Sequence, residues 1–443
     1  MFPLHSGQKL FKIKYLTCVS LRPWMKYLNR SSYLIFSLKN AILNPIAKCF
    51  RFKMKLRTLD QADVKDKRVL VRCGFDVPFT DDGKIEDDER IRECIQTLRF
   101  LMGKGAKVII ASHNGRPKGR VVEKLSMNLI SAHLSELLDE NVVTLTDCIG
   151  PAVKNAIDQS NPTDVILLEN LRFHAEEEAN DPEFAKELAS LAEVYVNEAF
   201  ANLHRDHASM TGVPKLLPAY AGFRVQKEVD MLSQIIDNPV HPFVAIIGGA
   251  KISDKIQVIK RMLEIGDYVL LGGALANTML KAQGVSVGKS LVEDEMMHIV
   301  NDLTLTDNRL RVPVDVVTAK EIKSGVQTHK KAVANVFDDE YILDIGADTI
   351  NLYEMILRQA KTIVWGGPMG YFEVKPFDHG TCEIARIIGQ CDARSVAGGG
   401  DTLDALAKSG YKDKLTFTST GGGAMLTFLE GNNMPALELL KQK

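Results

Sequence analysis

At 443 residues and 45% hydrophobic, the chain can bury a large core and exceeds the roughly 250–300 residues at which single cores split, so two domains are expected. A formal net charge of −1 excludes a general attraction to nucleic acid or membrane, so an anionic partner must be held by a local basic cluster. The seven cysteines have no Cys-x-x-Cys spacing and no clustered histidines, which argues against a disulfide framework and a zinc site and for a reducing compartment.

Residues 1–53 form a basic leader with no Asp or Glu before Asp60. Its apolar run "SSYLIFSL" is too short to span a bilayer, and its composition fits either an organellar transit peptide or translated sequence upstream of a start at Met54. Next, "RVLVRCGFDVPF", Arg68 to Phe79, predicts a buried strand that stops at Cys73-Gly74 and turns through Asp76 into a proline. Arg90 follows among acids in "GKIEDDERIRECIQTLRF", where a helix start is expected and a capping or i,i+4 role is the rival reading. The runs "KVIIASH", "DVILLEN" and "EVYVNEAF" predict further strands. The segment from about Ala219 to Ile236 has helical periodicity, ends at Asn-Pro and reads as the connector to a second set: "FVAIIGGA", "DYVLLGGA", "KTIVWGGP", "RSVAGGG" and "LTFTSTGGG". Apolar strands without polar alternation, separated by helical stretches, predict an α/β fold of parallel sheets covered on both faces.

Ligands of such sheets bind at the carboxyl ends of the strands. In the first half those ends supply His113, Arg116, Arg172, His204, Arg205 and His207; in the second they supply paired or triple glycines. Arginine binds carboxylate and phosphate bidentately, and glycine before a helix lets backbone N–H groups approach phosphate. Lys251 and Lys255, at i and i+4 after Gly248-Gly249, are expected to share a helix face, with Asp401 or Thr402 as an N-cap further on. No stretch matches G-x-x-x-x-G-K-[ST] or G-x-G-x-x-G, and any single glycine loop reads equally well as a tight turn. Together, a polyphosphate half facing an anion half points to phosphoryl transfer.

The ordered stretches "SHNGRP", "LLENLRFHAEEE", "HRDHASMTG", "GGAKISDKI", "PVDVV", "WGGPMGYFE", "AGGGDTL" and "STGGGAM" resemble the phosphoglycerate kinase family over Met54 to Lys443. The resemblance implies two Rossmann-like lobes joined by a hinge helix. Residues 54–218 would bind phosphoglycerate, 219–236 connect, 237–424 bind nucleotide, and 425–443 return to the first lobe. It further implies reversible transfer between 1,3-bisphosphoglycerate and ADP giving 3-phosphoglycerate and ATP, with Mg2+ carried as Mg-ATP or Mg-ADP. A monomer is implied, with no nucleic-acid or membrane partner, in the cytoplasm, or in an organelle if residues 1–53 are a transit peptide.

Carried over by motif, Arg90 and Lys251 would stabilise the transferring group. Gly74, Asp76, Arg90, His113, Asn114, Gly115, Arg116, Arg172 and Arg205 would line the phosphoglycerate site. Lys255, Glu373, Gly399, Gly400, Asp401 and Thr402 would hold the nucleotide, Asp401 touching the metal weakly because Mg2+ is held mostly through nucleotide phosphates. The chain departs from the family where Arg-Val-Asp-Phe-Asn-Val-Pro is replaced by Arg72-Cys73-Gly74-Phe75-Asp76-Val77-Pro78, and again at Asn114, Ala274, Gly366, Met425 and Thr427. The family's acid and amide in that strand-end turn contact the phosphoglycerate. Gly74, Asp76 and Gly366 therefore leave two alternatives open: a catalytically impaired nucleotide-binding paralogue, or a kinase for a different small acid.

Overall fold

The structure, a computed structural model, describes residues 54–80, 82–304 and 307–442. Residues 1–53, and with them the transit-peptide and upstream-start readings, lie outside the described residues.

Six parallel strands build the first sheet, in the order β3-β4-β2-β1-β5-β6. They are β1 (Arg68–Arg72), β2 (Lys107–Ala111), β3 (Val142–Thr144), β4 (Val165–Leu167), β5 (Val194–Asn197) and β6 (Ala219–Ala221). Six more build the second, in the order β15-β14-β13-β7-β8-β9. These are β7 (Phe243–Ile247), β8 (Tyr268–Leu271), β9 (Leu310–Arg311), β13 (Thr362–Gly366), β14 (Arg394–Gly398) and β15 (Phe417–Ser419). Central strands such as β7 and β13 are buried at every residue because helices cover both faces, which explains why they read as unbroken apolar runs. The α/β architecture of two helix-covered parallel sheets is the expected one. A third, antiparallel sheet of β10 (Asp315–Ala319), β11 (His329–Ala332) and β12 (Tyr341–Ile345) was not anticipated.

Five helices position the site: α1 (Glu89–Gly103), α2 (Phe223–Asp237), α3 (Ile256–Ile265), α4 (Gly400–Ser409) and α5 (Gly423–Glu430). The connector differs from its helical expectation at its start, since Ala219–Ala221 is strand β6, paired with β5, and α2 opens only at Phe223. The cause is tertiary. The buried carboxylate of Glu198, just past β5, accepts the Arg224 N–H at 3.0 Å and the Thr97 hydroxyl at 2.5 Å, while Thr97 Oγ1 accepts the Phe223 N–H at 3.0 Å. A Cβ at Gly222 would lie 1.9 Å from Glu198 Oε2, so only glycine lets the helix N-terminus reach that carboxylate.

The last described residues lie against residues 55–57. The Arg57 N–H donates to Leu440 O at 2.8 Å and the Gln442 N–H to Lys55 O at 2.8 Å, while Arg57 O accepts the Ala221 N–H of β6 at 2.8 Å. Between the two sheets, Lys412 pairs with Glu89 at 2.7 Å and the Thr420 hydroxyl donates to Glu93 at 2.7 Å. Arg224 at the head of α2 reaches Glu93 and Glu228 at 2.7 Å and the carbonyl of Thr418 at 3.1 Å.

Candidate active site

The first-lobe cluster grows from the ends of β1, β2 and β5. Arg72, the last residue of β1, is fully buried, with Nε donating to Ser209 Oγ at 2.8 Å. Ser209 in turn donates to the buried Glu177 carboxylate at 2.6 Å. Arg72 Nη2 faces His113 Nδ1 at 3.0 Å. A guanidinium only donates, so Nδ1 accepts and the imidazole proton sits on Nε2, turned toward Asp76 at 4.0 Å. Burial first, then the charges of Arg72 and Arg172, hold the His113 pKa well below its ordinary value, so the ring is neutral. His207 is pushed to about 4 by burial and by Arg172, Arg72 and Arg205.

The turn after β1 is laced to β2: the Phe75 N–H donates to Ser112 Oγ, which donates to Cys73 O, both at 2.9 Å. This aims Asp76 into the cluster. Its Oδ1 accepts the Gly115 N–H at 2.8 Å, and its Oδ2 lies 3.7 Å from Arg90 Nη1. Arg90 Nη1 also donates to Asp76 O at 2.6 Å. The rival reading of Arg90 as a helix-pairing residue is not realised; Arg92 instead pairs with Asp88 at 2.8 Å across i,i+4.

Arg172 Nη1 donates to Gly115 O at 2.8 Å and its Nε lies 3.2 Å from Glu178. The Asn114 side-chain amide and Arg205 Nε are buried without a hydrogen-bond partner, two donors an arriving anion can satisfy. Arg116 is exposed at the rim of the same loop. Gly115 holds φ at +65°, and a Cβ there would lie 2.8 Å from Leu125 Cδ2. Gly115→Ala is expected to cost about 1–2 kcal/mol of stability through left-handed strain and displacement of Leu125. A shift of the urea midpoint measures it, and an unchanged midpoint would contradict the strain argument.

In the second lobe the strand-end glycines form a floor around one ammonium. Lys255 Nζ donates to Gly248 O at 2.5 Å and Gly366 O at 3.3 Å. Burial lowers its pKa to about 8, opposed by the charges of Asp401 and Asp254. The Lys251–Lys255 face expected on a helix does not form. Lys255 is the N-cap of α3, and Lys251 lies exposed in the loop after β7. The N-cap of α4 is likewise Gly399, at φ +107°, and not Asp401 or Thr402. The Thr402 hydroxyl is buried and accepts the Gly367 N–H at 2.7 Å, so it braces the adjoining loop. Glu373 and Asp401 stand on a cavity of about 420 Å³, together with Gly249, Ala274, Pro313 and Leu343 of β12 in the antiparallel sheet.

A cleft of about 200 Å³ joins the halves: Asp76, Glu89 and Arg90 line one side, Gly400, Asp404 and Lys412 the other. The contacts thus bring Asp76, Arg90, His113, Gly115 and Arg172 together, seat Lys255 on the glycine carbonyls, set Glu373 and Asp401 on the second-lobe cavity and place Arg90 opposite Gly400, while Arg116 and Lys251 stand exposed on their loops. Sequence reasoning missed Arg72, Ser209 and Glu177 as the buried frame of the basic pocket. The signal available was a lone arginine ending an otherwise apolar strand.

A family profile described as phosphoglycerate kinase matches residues 59–432. The phosphoglycerate kinase of Pelotomaculum thermopropionicum is 46% identical over 394 residues, 88% of this chain and 100% of that protein. That of Moorella thermoacetica is 46% identical over 390 residues, 87% of this chain and 99% of its own length. Among solved structures, phosphoglycerate kinase from Coxiella burnetii superposes with a TM-score of 0.77 at 36% identity, covering 87% of this chain and 98% of that one. The enzyme from Pyrococcus horikoshii gives 0.76 at 31% identity with the same coverage. Beside the arginine and histidine cluster, the second-lobe cavity and the cleft that joins the halves, these matches show that the chain belongs to the phosphoglycerate kinase family.

Proposed function

We propose that the protein catalyses reversible, in-line phosphoryl transfer between 1,3-bisphosphoglycerate and ADP, giving 3-phosphoglycerate and ATP, by closure of its two lobes. The observation that supports this best is Arg90 on the same cleft as Gly400, with Asp401, the residue after Gly400, lining the second-lobe cavity. His113, Asn114, Gly115, Arg116, Arg172 and Arg205 hold the phosphoglycerate. Lys255, Glu373, Gly399, Gly400 and Asp401 hold the nucleotide, and Thr402 braces the adjoining Gly367 loop. Arg90 and Lys251 approach the phosphoryl group as the lobes close.

The acceptor is a carboxylate already ionised near pH 7, so no general base is required, and the neutral His113 serves as a donor through Nε2. The exposed carboxylate of Asp401 is a hard oxygen ligand that would help hold Mg2+ brought with the nucleotide, and the ion would neutralise phosphate charge. The enzyme works as a monomer in the cytoplasm. Cys73, Cys94, Cys148, Cys382 and Cys391 are free, as a reducing compartment leaves them, and no helix among the described residues is long and apolar enough to cross a membrane.

Because the Lys255 pKa is lowered to about 8, its ammonium charge is present below that pH and lost above it. Mg-ADP affinity is expected to fall by up to about tenfold between pH 7 and pH 9.5, with proton uptake on binding in the upper part of that range. Calorimetry in buffers of different ionisation heat reads both quantities; a flat affinity with no proton uptake would contradict the role of Lys255. The same instrument tests the function. Mg-ADP and 3-phosphoglycerate should each bind, and Arg205→Ala should weaken only the second. Binding of Mg-ADP with no 3-phosphoglycerate binding at millimolar concentration would instead make the chain a nucleotide-binding paralogue.

A further inference from the structure

Away from the cleft, at the far end of the first sheet, two strand ends bring together three potential ligands of different types. Asp147 and Cys148 follow β3, ahead of the helix Pro151–Gln159, and His174 follows the single helical turn Leu171–Phe173 beyond β4. Their donor atoms, a carboxylate oxygen, a thiol sulfur and an imidazole nitrogen, all lie within 4.8 Å of one another. Among the described residues they are the one such group of three.

The trio is built like a socket. Cys148 forms its floor at 0% exposure, while Asp147 and His174 form the mouth with side chains 50% and 28% exposed, leaving a path from solvent. Asp147 Oδ1 accepts the backbone N–H of Cys148 at 2.7 Å and faces His174 Nε2 at 2.8 Å, and its carbonyl accepts the Glu169 N–H at 3.3 Å. The Phe184 ring packs on the imidazole with centroids 5.2 Å apart, which limits its rotation. Tetrahedral zinc with bonds of roughly 2.0–2.3 Å sets its ligands about 3.3–3.8 Å apart. Small side-chain movements reach that geometry: the Asp147–His174 pair opens slightly and the thiol closes in.

We propose that Asp147, Cys148 and His174 bind a thiophilic divalent cation of the zinc class, with water in the fourth position. A hard cation such as Mg2+ does not favour thiolate and imidazole, so this site is separate from the metal that travels with the nucleotide. On binding, the thiol proton leaves to solvent, the sulfur ligates as thiolate, and the imidazole proton moves to Nδ1 so that Nε2 can ligate. The cysteine spacing argued against a zinc site because the ligands come from separate strand ends, which no local motif reveals.

Titration of the full-length protein with Co2+ tests this. The expected result is a near-ultraviolet thiolate-to-cobalt band with visible bands of tetrahedral intensity, bleached by Zn2+. Cys148→Ser should abolish the band, and His174→Gln, at the exposed mouth, should raise the Co2+ dissociation constant at least about 100-fold. Cys382→Ser and Cys391→Ser, at half-buried thiols of the second lobe, should leave it in place. No such band in the wild type, a band that survives Cys148→Ser in folded protein, or an unchanged affinity in His174→Gln would overturn the proposal.

Discussion

Lys251→Ala is expected to lower kcat by about 10²–10³-fold while changing Mg-ADP affinity less than about threefold. The two lysines of "GGAKISDKI" sit in different places, and the difference predicts different roles. Lys255 is buried against the carbonyls of Gly248 and Gly366, where under the proposed function its ammonium would charge the floor of the nucleotide site. Lys251 lies exposed in the loop past β7, where its charge is felt by Glu293. Under the proposed function a cation at that position would meet the transferring group only as the lobes close, so its contribution would fall on the transition state and little of it on the bound nucleotide. Single-turnover rates and calorimetry on the same preparation measure the two separately. Lost Mg-ADP binding with unchanged turnover at saturation would contradict the assignment.

Restoring the family's pair by Gly74→Asp with Asp76→Asn is expected to tighten 3-phosphoglycerate binding by about 1–3 kcal/mol, roughly one to two decades, and to leave Mg-ADP affinity alone. Asp76 puts a carboxylate 3.7 Å from Arg90 and 4.0 Å from His113, where it neutralises part of the charge an incoming anion needs. Asparagine keeps the bond from the Gly115 N–H, now 2.8 Å to Oδ1, without the negative charge. Aspartate fits at position 74, because a Cβ there meets nothing nearer than Ala199 Cα at 3.8 Å. It returns an acceptor for the substrate hydroxyl. Both positions lie on one turn, so the gain is read from a double-mutant cycle. No tightening in the folded double mutant would mean the pocket is shaped for a different small acid.

The strands were legible because residues covered on both faces are apolar throughout, and the site was legible because parallel sheets expose their carboxyl ends, where the glycines and arginines cluster. What escaped was set by partners distant in sequence. The Lys251–Lys255 helix face failed because the chain stays in turns until Lys255, whose ammonium is drawn to the glycine carbonyls. Thr402 carries a capping residue's chemistry but spends it on Gly367, 35 positions away. The start of α2 depends on Glu198 and Thr97, and the frame behind His113 on Ser209 and Glu177. Periodicity reports none of these. The antiparallel sheet escaped because β11 alternates between half-buried and exposed and carries adjacent lysines, so its pattern reads as surface.

The central claim is that the two lobes together move a phosphoryl group, and 3-phosphoglycerate-dependent consumption of Mg-ATP in a coupled assay tests it most directly. The account predicts turnover saturable in both substrates, with a KM for 3-phosphoglycerate that falls in the Gly74→Asp, Asp76→Asn double mutant. Protein that is folded and binds Mg-ADP yet shows no 3-phosphoglycerate-dependent turnover would contradict it.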